Sequence, residues 1–316
     1  MKDPLRVLIA SDGSPSAERA ISLAECVAWP AGTELRIITV VAPVPVLVAT
    51  ALIADLDPMP VQTTRRSRSI GGSEVEVSVR EGRPATRIVD EAREWHADLV
   101  IVGSRGQGAL RAALLGSVAA EVVDHAPCAV LVARTVCAHS VLLAEDGSGT
   151  AATAAAFLVR VPSLGERDLR ILSVAHVLAP LLSGVAPHLR ELAREAHVEA
   201  VEAARAEHER IAATRAGAFA RPSGAVSYDV RIGDPADEIL KEAAERRTDL
   251  VVLGSHGRTG LQRVLLGSVA RTVLVHADSS VLIVRPHHVR GADRGWASGH
   301  VLASTNEPNA HGGDLK

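Results

Sequence analysis

The sequence predicts an α/β fold of two tandem doubly wound sheets, each with five parallel strands. Three observations lead to this prediction. The chain repeats itself once, each repeat alternates short apolar runs with stretches of helical spacing, and several apolar runs contain no polar residue. Alternating strand-like and helix-like segments are typical of a sheet whose two faces are covered by helices.

The internal repeat sets the expected domain organisation. Val7–Ser14 matches Val141–Ser148, and later parts of the two copies agree at roughly half of the aligned positions. A chain of 316 residues has room for two ordinary domains. We therefore expect one domain over residues 1–136 and a second over residues 137–286. The tail, residues 287–316, is rich in Gly, His, Asn and Asp without periodicity, which predicts disorder.

Short runs rich in Val, Ile and Leu predict the strands. Leu99–Val102 and Leu250–Leu253 are apolar throughout, which is typical of strands buried on both faces. The last strand of each repeat is an apolar edge, and we expect the two edges to pair with each other. The predicted strands span residues 5–11, 34–41, 74–80, 98–102 and 128–133, then 140–144, 168–175, 225–231, 249–253 and 280–285.

The helices follow from proline positions and charge. Pro84 and Pro235 stand where a helix begins, a position that tolerates proline. The segment 188–213 is long and charged, which predicts a solvated covering helix. The matching part of the first repeat has several prolines, the basic stretch Arg65–Arg68 and then Gly71-Gly72, which predicts a loop-rich cover.

Composition excludes several classes of protein. The formal net charge is −3, so no broad basic surface for nucleic acid is expected. The longest apolar segment, Val44–Leu56, contains a proline and is shorter than the roughly 20 residues that a membrane-spanning helix needs. The N-terminus lacks the features of a signal peptide. These observations predict a cytoplasmic protein without a membrane partner.

The three cysteines, Cys26, Cys128 and Cys137, have no metal-type spacing. Their odd, low number favours a reducing compartment. Cys128 begins an apolar run, which predicts a small buried residue rather than a reactive thiol.

One glycine pattern, G-x2-G-x9-G-S, occurs in both repeats between an apolar run and a helix-like one. Its members are Gly103, Gly106, Gly116 and Ser117, then Gly254, Gly257, Gly267 and Ser268. Glycine lets backbone N–H groups approach an anion, and a helix N-terminus favours negative charge. The pattern therefore predicts two binding sites for a phosphate-bearing ligand.

Asp12 and Asp146 end the first strand of their repeats, at the edge where doubly wound sheets bind ligands. Each carboxylate is expected to bind a base, a ribose or a cation. A turn or helix-cap role in Asp-Gly-Ser is the alternative.

Together, the ASDGS and AEDGS strand ends and the two complete glycine motifs resemble the universal stress protein family. The resemblance covers nearly all of residues 4–286. It implies a strand order of 3-2-1-4-5, ATP binding with Mg²⁺, a regulatory role in stress and a possible homodimer. The implied nucleotide contacts are Ala10, Ser11, Asp12, Val40, Val102, Gly103, Gly106, Gly116, Ser117 and Val118, then Ala144, Glu145, Asp146, Val174, Leu253, Gly254, Gly257, Gly267, Ser268 and Val269.

The second site departs from the first at Glu145, which replaces Ser11. A second carboxylate there would repel phosphate or recruit a divalent cation; the alternative is that it points to solvent. Arg105 and His256 lie inside the two loops and are expected to neutralise phosphate. Because histidine loses its charge near neutrality, the first site is expected to hold a triphosphate more firmly at higher pH.

Enzymatic alternatives have weaker support. The chain has no G-x4-G-K-[ST] motif, and no dinucleotide-binding glycine pattern follows the first strand of either repeat. Ser117 and Ser268 lack an identifiable base, so no catalytic residue is assigned. A slow ATPase or phosphoryl or nucleotidyl transferase on the same scaffold stays open, as does an interaction protein without nucleotide.

Overall fold

The computed structural model describes residues 4–41, 66–70, 73–106, 115–164, 168–180, 183, 186–219, 225–257 and 266–286. The predicted disordered tail, residues 287–316, and the apolar segment Val44–Leu56 lie outside the described residues. Within the part of the chain that is described, no helix combines the length and apolar character needed to cross a bilayer. The proposed boundary between residues 136 and 137 stays a prediction.

The strands and helices alternate along the chain as expected. The first half contains β1 Arg6–Ala10, α1 Pro15–Cys26, β2 Glu34–Val41, β3 Arg66–Ile70, β4 Ser73–Glu81, α2 Pro84–Glu94, β5 Leu99–Gly103, α3 Ser117–His125 and β6 Ala129–Ala133. The second half contains β7 Ser140–Ala144, α4 Gly149–Arg160, β8 Asp168–Ala175, α5 Pro187–Phe219, β9 Ala225–Ile232, α6 Pro235–Glu245, β10 Leu250–Gly254, α7 Ser268–His276 and β11 Ser280–Val284.

Among the described residues, 11 strands form one continuous sheet in the order β3-β4-β2-β1-β5-β6-β11-β10-β7-β8-β9. Within each half the parallel strands follow the expected 3-2-1-4-5 order. The strands β6 and β11 pair antiparallel, with Leu131 opposite Leu282. This confirms the expected pairing of the two apolar edges, and through it the two predicted five-stranded parallel sheets continue into one another.

An eleventh strand was missed by the sequence interpretation. The loop-rich cover expected around the basic stretch includes β3, which pairs antiparallel with β4, with Ile70 opposite Ser73. In the sequence only Gly71 and Gly72 separate the two strands. The strand was missed because its sequence, RSRSI, is mostly polar and gives no apolar signal.

The core lies on both faces of the sheet. Val7 and Ile9 belong to the apolar cluster on one face, together with buried residues of α1 and α4, whereas Leu8 belongs to the cluster on the other face, with buried residues of α2 and α3. Both apolar clusters contain residues from the two halves, so the halves share one core. Phe157 is buried, but Leu, Ile, Val and Ala supply most of the packing. Each large aliphatic side chain buried in this way contributes about 1.5–3 kcal/mol.

Two arginines connect the halves in matching ways. The Arg134 guanidinium, just after β6, donates to the carbonyl of Leu274 at 2.6 Å, near the end of α7. Arg285, just after β11, donates to the carbonyl of Asp124 at 3.0 Å, near the end of α3. Cations are favoured at helix C-termini, where carbonyls lack partners. Burial lowers the pKa of Arg134 to about 10, so it stays charged at neutral pH.

The structure contains a disulfide, which the odd, low number of cysteines did not lead us to expect. Cys26 at the end of α1 and Cys137 before β7 form a disulfide, with Cα atoms 5.4 Å apart. Two of the three cysteines are therefore disulfide-bonded, although their odd number favoured free thiols. Their spacing in the sequence does not indicate the bond, because 111 residues separate the partners. Cys128 is the free cysteine and is buried, as expected. Burial raises the pKa of its thiol to about 12, so it stays protonated.

Candidate functional site

Each half has one cavity at the carboxyl ends of its parallel strands. The first has a volume of about 750 Å³ and the second about 330 Å³, both within the usual range of ligand pockets. The structure brings together all the residues that the sequence placed at each site. The first cavity is lined by Ala10, Ser11, Asp12, Val40, Val102, Gly103, Gly106, Gly116, Ser117 and Val118 among others. The second is lined by Ala144, Glu145, Asp146, Val174, Leu253, Gly254, Gly257, Gly267, Ser268 and Val269 among others.

The turn after β1 uses one oxygen of its aspartate. The Ser14 amide donates to Asp12 Oδ1 at 3.0 Å, and the Ser14 hydroxyl oxygen in turn accepts from the Ala17 amide at the start of α1. In the second half, the Ser148 amide donates to Asp146 Oδ1 at 2.9 Å. The turn role considered for these carboxylates is therefore present, and it uses Oδ1 of each.

The second carboxylate oxygen faces the glycine loop. A Cβ atom added at Gly106 would lie 2.9 Å from Asp12 Oδ2, and one at Gly257 would lie 3.0 Å from Asp146 Oδ2. A side chain at either position would therefore have to push the aspartate carboxylate aside. Glycine lets the loop and the carboxylate keep this close approach.

Gly103 and Gly254 serve a packing role. A Cβ at Gly103 would lie 2.7 Å from the carbonyl of Ser16 in the first turn of α1, and a Cβ at Gly254 would meet Thr150 in α4. The Arg105 amide donates to Ser16 Oγ at 3.1 Å, which fixes the loop against the helix. The missing side chains therefore let each helix begin directly against the end of a strand.

The last glycine of each motif closes its loop instead of offering a free amide. The Gly116 and Gly267 amides donate to the carbonyls of Ser104 and Ser255, each at 2.8 Å. Both glycines still line their cavities, and their contact with a nucleotide stays a prediction. Gly116 is the N-cap of α3 and provides no side-chain cap. The first-turn amides that follow it have no intrahelical partners, and the helix dipole favours an anion there.

Glu145 is buried and ion-paired. Its side chain has no exposed surface, and its Oε2 lies 2.5 Å from Nε of Arg215 on α5. Its Oε1 accepts from the Gly147 amide at 2.8 Å. The alternative of a solvent-facing carboxylate is therefore wrong, and Arg215 balances the charge that was considered to repel phosphate or recruit a cation.

A second polar contact joins α5 to the same strand ends. The Ser173 hydroxyl donates to the carbonyl of Glu145 at 2.6 Å, and its oxygen lies 2.8 Å from Nδ1 of His208. The predicted covering helix therefore reaches the border of the second cavity through Arg215 and His208. Sequence reasoning missed both residues, because nothing in the charge pattern of α5 distinguishes them from their exposed neighbours.

The charged loop residues lie where the sequence placed them. Arg105 lines the first cavity and is exposed, whereas His256 lines the second and is half-buried. Nδ1 of His256 is 3.0 Å from Ser255 Oγ. Its Nε2 is buried and has no hydrogen-bond partner among the described residues. This nitrogen is a polar atom at the cavity for which a ligand oxygen would supply the missing partner.

Comparison with known proteins identifies the family. The model of the universal stress protein family matches residues 5–134 and again residues 138–285. The chain belongs to the universal stress protein family. A universal stress protein of Mycolicibacterium smegmatis (strain ATCC 700084 / mc(2)155) is 31% identical over 221 residues, which cover 68% of this chain and 70% of that protein. A universal stress protein of Mycobacterium bovis (strain ATCC BAA-935 / AF2122/97) is 28% identical and aligns with 89% of this chain and 95% of its own length.

Solved structures of universal stress proteins share the fold over both halves. One from Archaeoglobus fulgidus DSM 4304 has a TM-score of 0.55 at 18% identity, and the alignment covers 89% of this chain and 98% of that one. One described as a putative universal stress protein, from Pseudomonas aeruginosa UCBPP-PA14, has a TM-score of 0.54 at 19% identity, with 89% and 93% covered. The predicted tandem architecture and the predicted family are thus confirmed.

Proposed function

We propose that both cavities of this universal stress protein bind an adenine nucleotide, ATP with Mg²⁺, and that their occupancy regulates a response to stress. The observation that carries the proposal is the pairing of a glycine loop with an uncapped helix N-terminus, which is built in the same way in both halves. Backbone amides and a helix dipole provide a sequence-neutral site for a phosphate chain.

The remaining walls suit the rest of the nucleotide. Ile38, Val40, Pro84 and Ile88 line the first cavity and form an apolar surface beside the strand ends. A flat purine buries apolar area against such a surface, while the phosphates extend toward the loop. In the second cavity Leu172, Val174, Pro235 and Ile239 take the corresponding places.

The carboxylates fit a magnesium ion. Asp12 and Asp146 each direct Oδ2 toward the glycine loop, and a single carboxylate together with phosphate oxygens is a common ligand set for Mg²⁺. The cation would balance the charge that the carboxylate and the phosphates bring into one cavity. Because Glu145 is paired with Arg215, it is not available as a second cation ligand or as a general base. We therefore expect binding with little ATP turnover.

The test removes one site at a time. In Gly106→Val and Gly257→Val the new side chain displaces the aspartate carboxylate, so each variant is expected to lose one of two bound ATP molecules. Gly149→Ala is the matched control, because a Cβ at Gly149 meets nothing within 4 Å although α4 begins beside the second cavity. Native mass spectrometry reports both the ligand and its copy number, and cAMP and AMP serve as competing ligands.

The outcome is decided by stoichiometry. Loss of both ATP molecules in the double variant, with two retained in the control, would support the assignment. Wild-type binding in Gly106→Val and Gly257→Val would show that the nucleotide lies elsewhere or is not bound.

Two further parts of the proposal concern the whole protein. We propose a cytoplasmic location, as expected from the sequence, and a homodimer, which the family resemblance suggests. Light scattering of the purified protein measures the oligomeric state. Fractionation of cells that express the untagged chain measures its location.

A further inference from the structure

Cys26, Cys137 and His139 form a cluster outside both cavities. The ligand atoms of the three residues lie within 4.8 Å of one another, and His139 Nε2 is 4.0 Å from Cys26 Sγ. The two cysteines are half-buried and His139 is exposed. The cluster joins the end of α1 to the segment that connects the two halves of the chain.

The positions of these residues break the repeat. By alignment with the second half, Cys26 at the end of α1 corresponds to Arg160 at the end of α4. Arg160 forms an ion pair with Asp98 at 3.2 Å, and both side chains are largely buried. One junction between the halves therefore has an ion pair where the other has a disulfide and an imidazole. A contact that served only to hold the halves together would not require this difference.

The backbone of the cluster is fixed from the second half. The amides of His139 and Ser140 both donate to Oδ2 of Asp249, at 2.9 and 3.0 Å. The backbone at His139 is thereby held in place, while the exposed imidazole can turn toward the sulfurs. Because the cluster opens to solvent, a fourth ligand such as water has access to it.

We propose that Cys26, Cys137 and His139 bind a zinc-class cation when the disulfide is reduced, and that the disulfide closes this site. Two thiolates and one imidazole with an open fourth position are an established ligand type for Zn²⁺. At normal bond lengths and tetrahedral angles the two sulfurs would be about 3.8 Å apart, and each would be about 3.5 Å from the nitrogen. The three atoms reach these separations by side-chain rotation, because they already lie within 4.8 Å.

The two states interconvert by thiol–disulfide exchange. One sulfur of a dithiol reductant attacks the disulfide, and its second sulfur then releases the mixed disulfide. Two electrons and two protons pass to the cysteines, which become thiols, and the reductant becomes a disulfide. Zn²⁺ then binds both sulfurs and displaces the two thiol protons. Metal binding and disulfide formation therefore exclude each other.

The helix α1 connects the Cys26–Cys137–His139 cluster to the first cavity. The helix α1 ends at Cys26 and begins at Pro15, beside the Ser14 cap, the Asp12 turn and the glycine loop. Its 12 residues span about 18 Å. A change of state at the cluster thus acts on the same rigid helix whose first turn borders that cavity.

The experiment compares oxidised and reduced samples of the untagged full chain. One sample is oxidised in air, and the other is reduced with dithiothreitol and desalted without oxygen. Zn²⁺ alone is titrated against a chromophoric chelator, and Co²⁺ reports thiolate ligands through its sulfur-to-metal charge-transfer band. We expect the reduced protein to bind one more zinc ion than the oxidised protein, with the cobalt band present only after reduction.

Variants separate the metal site from the disulfide. His139→Ala is expected to keep the disulfide, as judged by thiol counting after denaturation, but to bind Zn²⁺ at least tenfold more weakly when reduced. His125→Ala changes an exposed histidine outside the cluster and should match the wild type. His287 and His288 are present in every sample, so any zinc they bind cancels in the comparison.

Several results would overturn the proposal. Equal zinc binding by the oxidised and reduced wild type would do so, as would unchanged zinc affinity in reduced His139→Ala. Three reactive thiols in the air-oxidised protein would show that the disulfide does not form. The first comparison needs no variant, so it stays decisive even where a substitution affects folding.

Discussion

The first cavity has Ser11 after β1, whereas the second has Glu145 at the same position. Both side chains accept from the amide two residues later, Gly13 at 3.4 Å and Gly147 at 2.8 Å, so the turn is kept. Glu145 additionally requires a cation, and α5 supplies it as Arg215. The comparison shows that one substitution in a repeat can connect the cavity to the covering helix α5 through an ion pair. The backbone of the turn stays the same.

The largest expected effect follows from breaking the ion pair of the second site. Arg215→Ala leaves Glu145 buried and unpaired, which costs about 3–5 kcal/mol in the free energy of unfolding and reduces ATP binding at the second site alone. Denaturant unfolding and native mass spectrometry measure the two quantities.

The same prediction has an internal control. Glu145→Ser makes the second site resemble the first, so the double variant Glu145→Ser/Arg215→Ala should recover most of the lost stability. A single Arg215→Ala variant as stable as the wild type would mean that the pair does not hold α5 in place.

The converse change tests the first site. Ser11→Glu introduces a carboxylate on the border of the first cavity. Within the described part of the first half, no arginine corresponds to Arg215. Repulsion of phosphate should weaken ATP binding at this site about tenfold, which corresponds to about 1.4 kcal/mol. The neutral variant Ser11→Gln has a similar size and should bind nearly as well as the wild type. Equal loss in both variants would indicate crowding instead of charge.

The smallest expected effect concerns the charged residues of the two loops. Arg105 lines the first cavity and carries a permanent positive charge. Arg105→Gln should therefore weaken ATP binding at the first site about threefold and leave the second site unchanged. Gly257→Val isolates the first site for this measurement, and Gly106→Val isolates the second.

A converse change in the second loop provides the control. His256 lines the second cavity, and His256→Arg places a permanent positive charge there, so ATP binding at the second site should become stronger by a similar factor. Unchanged ATP binding in both Arg105→Gln and His256→Arg would contradict the assignment of these residues to phosphate.

Much of the fold was predictable because it depends on local patterns. The unbroken apolar runs at β5 and β10 indicate strands with two buried faces, and the prolines at the start of α2 and α6 mark helix N-termini. The glycine motif locates both cavities, since its spacing fixes where a loop ends and a helix begins. Each of these patterns is contained within a single helix, strand or loop.

Other features depend on partners that are remote in sequence. β3 is polar and becomes a strand only because β4 offers it an edge. Glu145 and Arg215 are 70 residues apart, and Cys26 and Cys137 are 111 residues apart. The local sequence around one residue does not identify its partner, because the two meet only when packing brings distant segments together.

By itself, then, the sequence determined the strands and helices other than β3, the two-fold repetition and, through the family resemblance, the residues that border each cavity. The tertiary structure decided that β3 pairs with β4, that the carboxylate of Glu145 is neutralised and that two cysteines meet beside a histidine. The physical reason is that periodicity and turn chemistry act along the chain, whereas charge pairing, disulfide formation and edge-strand pairing act across space.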